Sequence, residues 1–240
     1  MHPRDFLHRH AGETAWVFGK GPSLTTFDPS TAGPLRIAIN DAVSHVPACI
    51  YVFANDGARR WVSACAPGQV LFHPRRCLWE YSGNPIGAAC DVVVFEDRNE
   101  DERMFLSREE LAECLTVRRG TLATACQWLH IMGVSHVHLI GIDGCAGYAP
   151  GIDWQTEDDP TLGREYQSIR DESLDFLEIA GIGWTSHSAN PIDRRGRRLV
   201  RITAHTVADG NPYYAGQIVT LPETIALELI TTHHAELYPP

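Results

Sequence analysis

The chain has 240 residues, 44% of them hydrophobic and 21% charged, and a formal net charge of -10. This is a globular composition with room for one sizeable domain and a small appendage, and its acidic balance disfavours nonspecific nucleic-acid binding, which requires phosphates to be neutralised. No stretch approaches the ~20 consecutive apolar residues that span a bilayer, and charge falls in residues 1–8, where an export signal needs an apolar run, so a cytoplasmic protein with no membrane partner is expected.

Short apolar runs ending in glycine or polar residues come first: Ala15-Trp16-Val17-Phe18, Arg36-Ile37-Ala38-Ile39 and Ile50-Tyr51-Val52-Phe53, the last two each followed by Asn-Asp, at 40–41 and 55–56. Continuous rather than alternating apolar character is what strands covered on both faces show. Val70-Leu71-Phe72 and Asp91 to Phe95 continue the series, and 97–103 reads as a charged loop. Gly120-Thr121 opens a helical pattern with Leu122, Ala125, Cys126, Leu129 and Met132 on one face; Gly133 stops it, and His136 to Ile140 forms a strand. A helix over Asp171 to Ala180, ended by Gly181, precedes a short strand at Gly183-Trp184-Thr185. This alternation predicts an α/β fold with a Rossmann-like open, mostly parallel sheet and helices on both faces.

After Arg194-Arg195-Gly196-Arg197-Arg198 the pattern changes. Strands at Leu199 to Ile202 and Gly216 to Leu221 flank a turn at Asp209-Gly210, and a helix runs from Pro222 to Ile230. The expected division is a nucleotide-binding, transferase-like domain over 1–198 and a small β-hairpin and helix module over 199–240. The arginine run reads either as a solvated linker or as a local basic patch. Seven cysteines (Cys49, Cys65, Cys77, Cys90, Cys114, Cys126, Cys145) without a C-x-x-C pair argue against a disulfide framework or zinc knuckle.

Three fragments, Phe18-Gly19-Lys20-Gly21-Pro22-Ser23-Leu24, Ala38-Ile39-Asn40, and Gly120-Thr121 through Leu139-Ile140-Gly141-Ile142-Asp143, together resemble the family 42 sialyltransferases and the related pterin-diphosphokinase-like proteins. The resemblance implies metal-independent transfer from a nucleotide-activated donor, most simply a nucleotide sugar, with no cofactor. The diphosphokinase relatives imply instead ATP-dependent transfer with magnesium, on Asp143 or Asp56. Two positions depart from the sialyltransferase pattern: Lys20 replaces an asparagine in the glycine loop, and the neighbourhood matching the family's catalytic histidine holds Glu165-Tyr166. A third alternative is a non-catalytic nucleotide-binding or virion-associated docking protein. Residues 199–240 resemble small phage accessory modules, which implies a phage or prophage origin and a route to a phage protein partner or a homo-oligomer.

Read as chemistry, glycines after a first strand let backbone approach a phosphate or ribose, and the amides of the next turn supply donors. Strand ends of an open α/β sheet are where ligands bind. The candidate nucleotide-binding set is therefore Gly19, Lys20, Gly21, Pro22, Ser23, Asn40, Asn55, Asp56, Gly120, Thr121 and Asp143, with Lys20 as a point charge for phosphate. Glu165 is a candidate general base, Tyr166 a hydrogen-bond donor to a leaving phosphate, and His187 the best-placed histidine for acid–base work. No metal ligand set is expected: Glu157-Asp158-Asp159 reads as a solvated acidic loop, and His8, His10 and His233-His234 receive no role.

Overall fold

The computed structural model describes residues 1–46, 48–54, 64–74, 90–98, 107–116, 120–145, 149, 160–188, 197–208 and 210–238. The strands are β1 (Thr14–Phe18), β2 (Arg36–Ile39), β3 (Tyr51–Phe53), β4 (Val70–Pro74), β5 (Asp91–Phe95), β6 (Asp97–Arg98), β7 (Leu115–Thr116), β8 (His136–Ile140) and β9 (Gly183–Ser186). The helices are α1 (Arg108–Glu113), α2 (Thr121–Met132) and α3 (Pro160–Ile179). Seven strands form one parallel sheet in the order β5-β4-β3-β2-β1-β8-β9. Successive strands step outward from β1 to β5; the chain then returns to lay β8 on the other side of β1. The order thus reverses between β1 and β8, the position at which open α/β sheets bind ligands beyond their strand carboxyl ends.

Side chains alternate across the sheet and build a core on each side. One core contains Ala15, Val17, Ile37, Tyr51, Phe53, Phe72, Val137 and Leu139, packed against Leu111, Trp128, Leu129, Leu174 and Leu177 from the three helices. The other holds Phe18, Ala38, Val52, Leu71 and Ile140 against Leu24, Ala42 and Val43, which come from the 3-10 turns Pro22–Thr25 and Asn40–Ser44. The expected α/β sheet is present, and among the described residues the second core is closed by these tight turns together with Cys65, which directly follows the helical residue Ala64. Every residue of α2 is buried, so its weak one-sided pattern reflects a helix sandwiched between the sheet and α3. It ends at Gly133, whose φ of 78° is the left-handed cap that glycine adopts without strain.

Three elements differ from the sequence expectation. Ser107 and Glu110 cap α1 reciprocally, Ser107 Oγ meeting the Glu110 N–H while the Glu110 carboxylate accepts the Ser107 N–H; this capping box lies in a stretch whose charge masked it. Helix α3 begins at Pro160 and not near Asp171, because its first turns carry few apolar residues to mark a buried stripe. The 97–103 stretch contributes β6, paired with β7.

The remaining elements are β10 (Arg197–Ile202), β11 (Thr206–Ala208), β12 (Asn211–Tyr213), β13 (Ile218–Pro222), α4 (Glu223–Thr231) and β14 (Ala235–Leu237). They form an antiparallel sheet in the order β13-β10-β14 and a two-stranded hairpin, β11-β12. Val200, Ile202, Leu221, Ala226, Leu229 and Ala235 build a separate apolar cluster. Gly210 falls between β11 and β12, inside the hairpin rather than directly between the two longer strands; Asp209 lies outside the described residues. Arg197 and Arg198 belong to β10: Arg197 donates to the Thr220 carbonyl at 2.9 Å, Arg198 pairs with Glu223, and Arg201 pairs with Glu236 at 3.2 Å. These arginines therefore serve strand contacts, not a linker; 194–196 lie outside the described residues. No helix among the described residues is long and apolar enough to cross a membrane.

Candidate functional site at the switch point

The loops leaving β1 and β8 interlock. Gly19 N–H donates to the Ile140 carbonyl and Gly21 N–H to the Gly141 carbonyl, both at 2.8 Å. A Cβ on Gly21 would meet the Gly141 oxygen at 2.8 Å and collide with the Asp143 carboxylate; one on Gly19 would collide with Gly141 and the Ile142 side chain. The space vacated at these two glycines is thus filled by the neighbouring loop, which is the close approach that requires them.

Asp143 closes the arrangement. Its Oδ2 accepts both the N–H and the hydroxyl of Ser23 at 3.0 Å, its Oδ1 accepts the Ser188 hydroxyl at 2.5 Å, and its carbonyl accepts Arg170 Nη1 at 2.9 Å. The Ser23 oxygen in turn accepts the Gly141 N–H at 2.9 Å. Asp143 is buried, and its carboxylate ties together the segments following β1, β8 and β9, a burial made tolerable by these donors.

On the other flank of β1, Asn40 begins the turn after β2 with φ at 51°, a left-handed conformation that asparagine tolerates better than most residues. Its Nδ2 reaches Thr121 Oγ1 at 3.2 Å, joining the β2 end to the first residue of α2. Gly120, the residue before α2, has φ at 81° and packs so that a Cβ would meet the Ile169 side chain at 2.8 Å. No side chain caps the helix there. Lys20 Nζ lies 3.8 Å from Asp41 Oδ2, both side chains largely buried, so the cation expected for phosphate stands beside an acid that the sequence reading passed over.

The sequence-predicted residues fall into three groups. Gly19, Lys20, Gly21, Pro22, Ser23, Asn40, Gly120, Thr121 and Asp143 gather at the carboxyl ends of β1, β2 and β8 and the start of α2. Glu165 and Tyr166 lie within α3, one turn before Ile169 and Arg170, which touch Gly120 and Asp143. His187 follows β9, its N–H donating to the Leu139 carbonyl at 2.9 Å. Asn55 and Asp56 lie outside the described residues, as do the acidic run 157–159 and Cys77.

The residues that the sequence reading missed are Asp41, His138, Arg170, Ser188 and the ring pair Trp16 and Phe27. Trp16 and His138 are register partners on β1 and β8 and stack, with ring centroids 3.9 Å apart at 13°. His138 Nδ1 lies 2.9 Å from His187 Nε2, and Phe27 meets His187 edge-on at 5.1 Å. Burial lowers the basicity of both imidazoles, that of His138 further through His187 and His136. The alternation of His136 and His138 along β8 marks one sheet face; only the strand order reveals that His187 joins it. By contrast, burial pushes the Cys49 and Cys65 thiols up to about 12, the condition of inert core cysteines.

Of the two carboxylates that the diphosphokinase alternative assigns to magnesium, Asp56 lies outside the described residues. Both Asp143 oxygens are engaged by serine donors, and no group of three His, Cys, Asp or Glu side chains converges to ligate an ion among the described residues.

No family model matches the sequence. No curated protein matches it either. Among solved structures, the chain is similar to the sialyltransferase CstII from Campylobacter jejuni in complex with a substrate analogue, cytidine-5'-monophosphate, with 12% identity, TM-score 0.42, and coverage of 92% of this chain and 98% of that one. It is also similar to a sialyltransferase CST-II in complex with a trisaccharide acceptor and CMP, with 11% identity, TM-score 0.40, and coverage of 91% and 99%.

Proposed function

We propose that this chain is a transferase that takes a nucleotide-activated donor, most simply a nucleotide sugar, and moves its activated group to an acceptor hydroxyl without a metal ion. The observation that carries the reading is the convergence of the glycine loop, Lys20, Asn40 and the start of α2 at the switch point between β1 and β8. Main-chain donors at a helix start and a lysine suit a phosphate, and Asn40 suits the polar edge of a nucleoside.

In this reading Gly19, Lys20, Gly21, Pro22, Ser23, Asn40, Gly120 and Thr121 hold the donor, while Asp143 holds the loops. His187 takes the proton of the acceptor hydroxyl as its oxygen bonds to the donor carbon; the bond to the nucleotide phosphate breaks, and the phosphate leaves with the electron pair. Tyr166 donates to that phosphate and Glu165 orients the acceptor. The protein works in the cytoplasm, and residues 199–240 dock it to a partner, a second copy or a phage protein.

A thermal-shift screen of the full chain against nucleotides and nucleotide sugars, with and without magnesium, tests the reading. A native-state ligand raises the melting temperature by mass action, by about 2.7 kcal/mol of stabilisation at a hundred times its Kd. The expected result is a metal-independent shift by a cytidine or uridine sugar, diminished in Lys20→Ala and in Asn40→Gly, the latter chosen because glycine accepts the left-handed backbone. Absence of any shift across the panel, with the protein folded, would sink it.

A further inference from the structure

We propose that His138 and His187 form one proton-relay pair, in which a proton accepted on the outer nitrogen of one ring leaves from the outer nitrogen of the other. The sequence separates them by 49 residues; the parallel pairing of β8 with β9 brings them together. His138 is the register partner of Thr185, and because side chains alternate along an extended chain, His187 lies on the same face as Thr185 and thus as His138. The Trp16 ring beneath His138 and the Phe27 edge against His187 fix both ring planes.

The contact at 2.9 Å joins Nδ1 of His138 to Nε2 of His187. A neutral imidazole carries one N–H, so whichever ring donates in this bond presents a bare acceptor at its far nitrogen, while the other ring presents its N–H. The far nitrogens, His138 Nε2 and His187 Nδ1, bond to no side chain among the described residues. When His187 Nδ1 accepts a proton, His187 becomes an imidazolium, its Nε2 proton passes to His138 Nδ1, and His138 releases its own Nε2 proton. One proton enters and one leaves, and both tautomers are exchanged.

Burial opposes a charge on either ring. Among the described residues, the titratable group facing the pair is His136, whose ring lies 5.1 Å from that of His138 and whose Nε2 meets Thr185 Oγ1 at 3.0 Å. Arg36, on the strand beside Trp16, is held by the Ala32 and Gly33 carbonyls. No carboxylate bonds to either ring among the described residues. In the transferase reading, on which its catalytic use rests, the relay carries the acceptor proton away from His187 and readies it for the next turnover.

Nitrogen NMR of the imidazoles in the full chain, titrated from acid to neutral pH, tests the pair independently of any substrate. The expected result is two coupled steps shared by His138 and His187, the second displaced to lower pH, and a single step for His187 in His138→Phe, which keeps a ring on Trp16. Independent one-step titrations in the unaltered protein would overturn the proposal. With a donor that is turned over, His138→Gln, which can still hold His187 by a hydrogen bond, is expected to lower kcat roughly tenfold or more at constant KM; an unchanged kcat overturns the relay while leaving the transferase reading intact. If no donor is turned over, the transferase reading fails, and the titration alone decides whether the rings share a proton.

Discussion

Ser23 gives both its backbone N–H and its hydroxyl to one oxygen of Asp143, each at 3.0 Å, across 120 residues of sequence. The same Ser23 oxygen accepts the Gly141 N–H, so donor and acceptor roles alternate around a closed circuit between the two loops that flank the switch point. A ligand seated there meets a rigid edge whose shape is set before it arrives.

Asp143→Ala removes the acceptor from two buried donors on Ser23 and a half-buried one on Ser188 and is expected to destabilise the fold by about 1.5–3 kcal/mol, the range for hydrogen bonds to a charged group. For a chain of this size that is a fall in Tm of roughly 3–12 °C, measured by calorimetry or circular dichroism. Ser23→Ala loses the hydroxyl but keeps the N–H contact and is expected to fall less. A stable Asp143→Ala would show that the carboxylate does not hold the loops.

Gly21→Ala tests the close approach itself. The added methyl meets the Gly141 oxygen at 2.8 Å and the Asp143 carboxylate, neither of which is the free end of a long side chain, so the loops must part. Overpacking of this kind costs roughly 1–3 kcal/mol. Paired with Asp143→Ala, the double variant is expected to lose less than the sum of the singles, because both break the same loop contact; full additivity in urea melts would separate them.

The central strands β2, β3 and β4 were legible as continuous apolar runs because they are buried on two faces, and the Gly120 to Gly133 helix was legible from its glycine boundaries; β8 and β9, whose burial alternates, were legible from the helix and glycine that precede each. What escaped was whatever depends on strand order. Nothing local in Trp16, His138 or His187 indicates that three strands place their rings together. Arg170 was hidden for a related reason: it lies before the apolar stretch Leu174 to Ile179, in turns of α3 whose neighbour is a loop. Asp143 was found at the strand end but given to a ligand, since a single sequence cannot reveal that Ser23 and Ser188 reach it first.

The described arginines of the basic run are expected to contribute little individually. Arg198 with Glu223 and Arg201 with Glu236 are solvent-exposed pairs, a class worth about 0–1 kcal/mol and screened by salt. Arg201→Ala should therefore shift the denaturation midpoint only slightly, and the shift should shrink further at high salt. A large, salt-independent loss would mean that the Arg201 stem packs on Tyr238, over whose ring its guanidinium lies at 5.1 Å.

His130 is expected to contribute to the acid limb of stability. It is buried in α2 against Phe176, and desolvation, helped by Arg108 and opposed by Glu109, lowers its pKa from 6.5 to about 4. Below pH 6.5 the unfolded chain takes up a proton that the folded chain refuses until about pH 4. Stability linked to this group is therefore complete above the upper value and is lost progressively as pH falls toward the lower one. Urea unfolding at a series of pH values is expected to show that decline, and His130→Leu, which keeps a buried side chain without a titrating ring, is expected to flatten it across this window while leaving other acid-sensitive groups in place. An equally steep decline in the variant would assign the acid limb to the carboxylates instead.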